Sequence, residues 1–152
     1  MSAQDIAKLR EETGAGVMEC KRALEEAKGD FQKAKEILAA SADAIAKKKA
    51  DRATKSGLVE CYCHSGKIGV LLEVACESDF VAKNDDFKTM VHNLALQIAS
   101  MNPKDVDELL AQEYIIDPSM KIEEYIKSVV LKIRENIQVK RFVRYELGEE
   151  DK

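Results

Sequence analysis

The stretch Ile68-Gly69-Val70-Leu71-Leu72-Glu73-Val74-Ala75-Cys76, continued by Glu77-Ser78-Asp79-Phe80-Val81-Ala82-Lys83-Asn84, decides the fold. Its first half sets Ile68, Val70, Leu72, Val74 and Cys76 at alternate positions, with Leu71 and Glu73 between them. That period belongs to a strand with one buried face. Its second half joins this strand to a helical pattern that starts at Asp85. Phe80 and Val81 are apolar in a connection that should run over the surface, and they are bracketed by Glu77, Asp79 and Lys83. Two readings stand open. Phe80 folds back and caps the sheet–helix core, as a lone loop aromatic usually does. Alternatively, a phenyl held out between a rigid strand and a rigid helix is a wedge that enters a partner.

Upstream of this stretch, Val59, Cys61 and Cys63 alternate with Glu60, Tyr62 and His64, and Ser65-Gly66 supplies a turn. The two runs read as an antiparallel hairpin. Taking Val59, Cys61 and Cys63 on the same face as Val70, Leu72 and Cys76 predicts buried thiols. Downstream, Phe87, Val91, Leu94, Ala95 and Ile98 form a helical stripe that ends at Asn102-Pro103, and His92 falls off the stripe, toward solvent. Asp105 to Leu110 is a short amphipathic segment and Tyr114 to Ile116 a short extended one. Ser119 is expected to cap a helix bearing Ile122, Tyr125, Ile126, Val129, Val130 and Ile133, with Asn136 as its stop. In the last run Ile137, Val139, Val143 and Tyr145 share a face with Arg141, and Phe142 takes the other. Apolar residues on both faces are the pattern of a sheet edge or an interface strand.

The first part of the chain has a different period. Ser2, with Asp5 three positions on, can cap a helix through Ile6 and Leu9 that ends near Thr13. Gly14-Ala15-Gly16 makes a tight turn. A second helix carries Val17, Cys20, Ala23, Leu24 and Ala27 and stops at Gly29; Asp30 caps a third, with Phe31, Ala34, Ile37 and Leu38 on its stripe. Val17 and Met18, beside the Gly-rich turn, either complete this small core or form a contact patch. Residues 41–56, rich in Ala and Lys, read as an exposed helical or semi-rigid connector. Its lysines could touch phosphate, but with no interleaved aromatic a solvated linker is the expectation. The organisation is therefore α+β: an N-terminal three-helix bundle over 1–40, a helical linker over 41–56, and a small antiparallel sheet packed with helices over 57–152.

The totals bound the function. Of 152 residues 45% are apolar, enough for a core, and 34% are charged. No apolar run approaches the ~20 residues of a membrane span, and the N-terminus lacks the plan of a signal peptide, so a cytoplasmic protein is expected. A net charge of −4 argues against nucleic-acid binding. The four cysteines show no C-x-x-C spacing. Cys61-Tyr62-Cys63-His64 invites a metal reading, but strand alternation sends the thiols and the imidazole to opposite faces. No phosphate-binding loop, zinc-protease motif or nucleophile with a nearby histidine occurs. No catalytic residues, metal or cofactor are expected, and the residues describe a two-part interaction protein with a loop wedge.

Three motifs resemble the elongation factor Ts family, in its order and over nearly the whole chain. They are Lys8-Leu9-Arg10-Glu11-Glu12-Thr13-Gly14-Ala15-Gly16-Val17-Met18 running on through Cys20-Lys21-Arg22-Ala23-Leu24, then Glu73 to Asn84, and then Ile133-Arg134-Glu135-Asn136-Ile137 with Arg141 to Gly148. The resemblance implies a ubiquitin-associated-like N-terminal domain that packs on the G domain of elongation factor Tu through residues such as Val17 and Met18. It implies that the loop of Ser78, Asp79, Phe80 and Val81 enters that GTPase near its magnesium site, with Phe80 inserted and Asp79 its polar partner. The implied activity is guanine nucleotide exchange; the rivals are a module that binds the GTPase without promoting exchange, and a thiol or metal enzyme centred on Cys61, Cys63 and His64. Ser78 stands where the family usually has Thr, which keeps the hydroxyl. A segment between about Pro103 and Leu110, present in other short members, is expected to be missing. The second half-core of long members is absent, which implies a homodimer built on the sheet, and Val143 removes the cysteine that bridges such a dimer in some short members.

Overall fold

In the computed structural model residues 2–150 are described; Met1, Asp151 and Lys152, the outermost residues of the expected domains, lie outside them. The N-terminal helices are α1 (Ala3–Thr13), α2 (Val17–Glu26) and α3 (Phe31–Lys49). Ser2 Oγ accepts from the Asp5 amide and the Asp5 carboxylate accepts from the Ser2 amide, a capping box that satisfies two otherwise orphaned donors. Gly14 ends α1 in the left-handed region, where a side chain would be strained, and Asp30 caps α3. Leu9, Cys20, Ala23, Leu24, Ala34 and Leu38 close a small core between the helices.

α3 does not stop at residue 40. It runs to Lys49, so the first half of the Ala- and Lys-rich stretch is regular helix with Ala42 buried and Ile45 half-buried. The stripe is sparse because small residues suffice where a second helix lies close. That helix is α7 (Ile122–Ile133). Its Lys127 Nζ donates to Asp43 Oδ1 at 2.5 Å, and its Leu131 is buried within the N-terminal core.

The remaining elements are β1 (Ser56–His64), β2 (Ile68–Cys76), α4 (Asp79–Ala82), α5 (Asp85–Met101), α6 (Val106–Ala111) and β3 (Gln138–Glu146). The strands form one antiparallel sheet in the order β1-β2-β3. α5 lies across one face, burying Phe87, Met90, Val91, Leu94 and Ile98 against Val70, Leu72 and Val74. Buried Gln97 on α5 pins the 113–115 segment, donating to Glu113 O at 3.0 Å and accepting from the Ile115 amide at 2.9 Å. The chain is thus α+β, as the periods predicted.

Two expectations about strand faces are corrected. The hairpin loop is Ser65-Gly66-Lys67, closed by the His64–Ile68 pair, with Ser65 and Gly66 at positive φ. Three loop residues rather than two set Tyr62 opposite Val70 and Cys61 opposite Leu71. A one-residue change of register exchanges the faces of a whole strand, so Leu58 and Tyr62 pack on the core while Cys61 and Cys63 are exposed. Only Cys20 and Cys76 are buried. On β3, Val74 pairs with Val139 while Glu73 pairs with Arg141. Lys140 is the extra residue of a β-bulge, and it turns Val139 inward while Arg141, Val143 and Tyr145 face outward. Ser119 does not cap α7 either. Its amide and hydroxyl both donate to Asp117 Oδ1, and Lys121 holds the N-cap position. Arg134, in the left-handed region at φ 62°, ends that helix before Asn136 is reached.

Candidate functional site: the Phe80 turn and its brace

The ladder of β2 with β1 ends at the Ser56–Cys76 pair. The next two amides, of Glu77 and Ser78, therefore have no strand partner and need another acceptor. They find it in one carboxylate from the far side of the sequence. Glu135 Oε1 accepts from the Glu77 and the Ser78 amides, each at 3.0 Å, and Glu135 Oε2 accepts from Ser78 Oγ at 2.6 Å. The contact is reciprocal, since Glu77 Oε2 accepts from the Asn136 amide at 2.9 Å. Asn136 is buried, and its Nδ2 donates to the carbonyls of Ala50 and Arg52 in the connector. Hydrogen bonds to ionised acceptors are the short and strong ones, so this base is held firmly.

Ser78, in extended conformation, caps the single turn of α4 by accepting from the Val81 amide at 3.3 Å. The turn has an inner and an outer side. Val81 and Ala82 are buried in the core, while Phe80 is 86% exposed, the most exposed of the large apolar residues among those described. The capping reading of Phe80 is thereby excluded. Asp79 is exposed beside it and accepts from Ser56 Oγ at 2.9 Å. Asn84 then caps α5, accepting from the Asp86 and Phe87 amides. Of the four loop residues singled out in the sequence, Asp79 and Phe80 are presented outward, Ser78 is tied into the brace, and Val81 anchors the turn from within. Below them, burial first and the Glu135 charge second push the Cys76 thiol above its ordinary range.

The second candidate patch begins α2. Gly16 at the N-cap donates its amide to Glu19 Oε2 at 3.0 Å, and Ala15 is buried. Val17 and Met18, on the first turn, remain 48% and 59% exposed, so neither completes the bundle core. The other oxygen of Glu19 pairs with Arg134. Consecutive residues of the α7–β3 turn thus reach both patches: Arg134 the base of α2, Glu135 the base of the Phe80 turn. The sequence marked Arg134 and Glu135 only as part of a family motif. A carboxylate and an amide placed just past a helix end were the available signal.

The rest of the surface offers little chemistry. His64 Nδ1 lies 2.9 Å from Tyr62 Oη, and exposed His92 sits 3.4 Å from Glu60 Oε1. Among the described residues no group of three or more His, Cys, Asp or Glu side chains is arranged to hold a metal ion. No helix among them is long and apolar enough to cross a membrane.

A sequence model of the family described as Elongation factor TS matches residues 77–152, the half that carries the turn and its brace. Elongation factor Ts of Thermotoga neapolitana is 43% identical over 95% of this chain and 96% of its own length. That of Pseudothermotoga lettingae is 42% identical over 99% of both chains, and that of Nostoc sp. 47% identical over 97% of this chain but 47% of its own. The Thermotoga alignment spans 189 residues, more than the 152 of this chain, so that relative carries sequence this chain lacks; the Nostoc alignment closes over 148.

Proposed function

The chain belongs to the elongation factor Ts family and has a role in translation elongation, and from that premise we propose that it is a guanine nucleotide exchange factor for elongation factor Tu, working in the cytoplasm by inserting the Asp79–Phe80 turn near the GTPase's magnesium site. The observation that carries this reading is the 86% exposure of Phe80 on a turn whose inner side and base are fixed. A phenyl held outward on a fixed turn offers a partner's pocket apolar area to bury. Val17 and Met18, on a ubiquitin-associated-like bundle, provide a second contact that anchors the factor without taking part in the exchange step.

Exchange is a matter of differential binding. The factor must bind the nucleotide-free GTPase more tightly than the loaded one, and by linkage each ligand weakens the other. A 10⁴-fold effect requires about 5.5 kcal/mol of difference. Burying Phe80 in a pocket open only in the exchange state supplies roughly 1.5–3 kcal/mol; disturbance of the magnesium and phosphate contacts provides the remainder. The protein adds no bond-making chemistry and is no enzyme in that sense. A second copy on the open sheet face completes the assembly: Val59, Leu71, Val143 and Tyr145 are exposed there together, an apolar surface suited to self-association.

The test is release of a fluorescent GDP from elongation factor Tu at fixed magnesium. The protein accelerates release, and Phe80→Ala loses most of the acceleration while its unfolding midpoint stays unchanged. A folded Phe80→Ala protein with full activity overturns the role of the turn. Binding without acceleration by the native protein leaves the module that only holds the GTPase.

A further inference from the structure

We infer that Glu135 is a positioning residue for nucleotide exchange, fixing the turn that presents Phe80; this rests on the exchange reading above. The argument is geometric. Phe80 is useful to a partner only if its direction is set before contact, because ordering a free loop at the moment of binding costs conformational entropy. Within the turn itself, Ser78 Oγ to the Val81 amide is the capping contact, at 3.3 Å. A single helical turn of four residues is too short to hold itself. The stronger restraint is Glu135, which takes both unpaired amides and the capping hydroxyl with its two oxygens. The hydroxyl that caps the turn is thus oriented by the same carboxylate that anchors its backbone.

The chemistry also explains the residue type. Three donors converge on one side chain, and a carboxylate accepts them all with no proton of its own in the way. Glutamine keeps one oxygen for the two amides but presents an NH₂ to Ser78 Oγ. Alanine leaves the amides of Glu77 and Ser78 without an acceptor.

The experiment measures GDP release against factor concentration for the full chain and for Glu135→Ala and Glu135→Gln. Amide hydrogen exchange across residues 76–80 is followed in the same proteins. For Glu135→Ala the plateau rate falls about tenfold, a loss of roughly 1.4 kcal/mol in the exchange step. The half-saturating concentration changes little, since the Val17–Met18 contact is untouched, and the Glu77 and Ser78 amides exchange faster. Glu135→Gln recovers part of the plateau. Adding Ser78→Ala to Glu135→Ala costs less than Ser78→Ala alone, because the two act through one contact. An unchanged plateau in Glu135→Ala with the amides released overturns the inference, as does a rise in half-saturation with no fall in plateau. If Glu135→Ala does not fold, Glu135→Gln decides: a wild-type plateau overturns the inference, and a reduced one with unchanged half-saturation supports it. Failure of the native protein to accelerate release sinks the exchange reading, and this inference with it. Loss in Phe80→Ala without loss in either Glu135 variant sinks the inference alone.

Discussion

The two faces of the sheet are built from neighbouring residues of the same strands, yet they have opposite fates. On one face Val70, Leu72 and Val74 lie under α5 and are nearly or wholly buried. On the other, Val59, Leu71, Val143 and Tyr145 are exposed, beside the thiols of Cys61 and Cys63 and the Glu73–Arg141 ion pair. Both faces are apolar, so hydrophobicity does not distinguish them. What distinguishes them is register, set by a three-residue loop at one end and a bulge at the other. A covered apolar face holds the chain together, and an open one is free to hold two chains together.

The largest separation between the faces is expected at adjacent leucines. Leu72→Ala should cost about 2–5 kcal/mol in denaturant unfolding, because it empties a closed core. Leu71→Asp should leave the stability of a single chain nearly unchanged and shift sedimentation from two copies toward one. Equal losses of stability at both positions would mean that the faces are not distinct. The arginines of β3 sharpen the comparison further. The Arg144 side chain is 8% exposed and donates to Ala99 O at the end of α5, so Arg144→Ala should cost about 1–3 kcal/mol. Arg141 is 83% exposed in its pair with Glu73, and Arg141→Ala should cost no more than about 1 kcal/mol. The gentlest test uses the thiols. In dilute native protein Cys61 and Cys63 should react promptly with a disulfide reagent. Cys20 and Cys76, buried and with thiols pushed up in pKa chiefly by burial, should react only through unfolding. A fast Cys76 would argue that the covered face opens readily, and a fast Cys20 that the helical bundle does.

Element types were legible in the sequence because each rests on local period and caps: Ser2 and Asp30 cap where side-chain chemistry says they should, although Ser119 does not. Which face of β1 is buried was not legible. Val59, Cys61 and Cys63 alternate as well as Leu58, Glu60 and Tyr62, and the half-buried, core-facing set is the one containing a glutamate and a tyrosine. A single loop residue chose between them. At the site, the oddity of Phe80 was readable as an apolar residue among charges. The support beneath it was not. Glu135 lies far along the chain from Ser78, and its place just past a helix end marks it as a carboxylate free to brace something without saying that its partners are two amides left over where a ladder ends. The end of α3 was hidden for a related reason: Ala42 and Ile45 look like linker until α7 is laid beside them.

Leu131 belongs by sequence to the last helix of the sheet region, yet it is buried among Leu9, Cys20 and Leu38. The bundle, too small to be secure alone, thus borrows part of its interior from a helix whose other side, with Ile122, Ile126 and Val129, is buried with α5 in the core of the sheet region. Removing that helix would uncover two interiors at once. Melting is therefore expected to be one cooperative event, with the Phe80 turn and the Val17–Met18 surface lost at the same temperature.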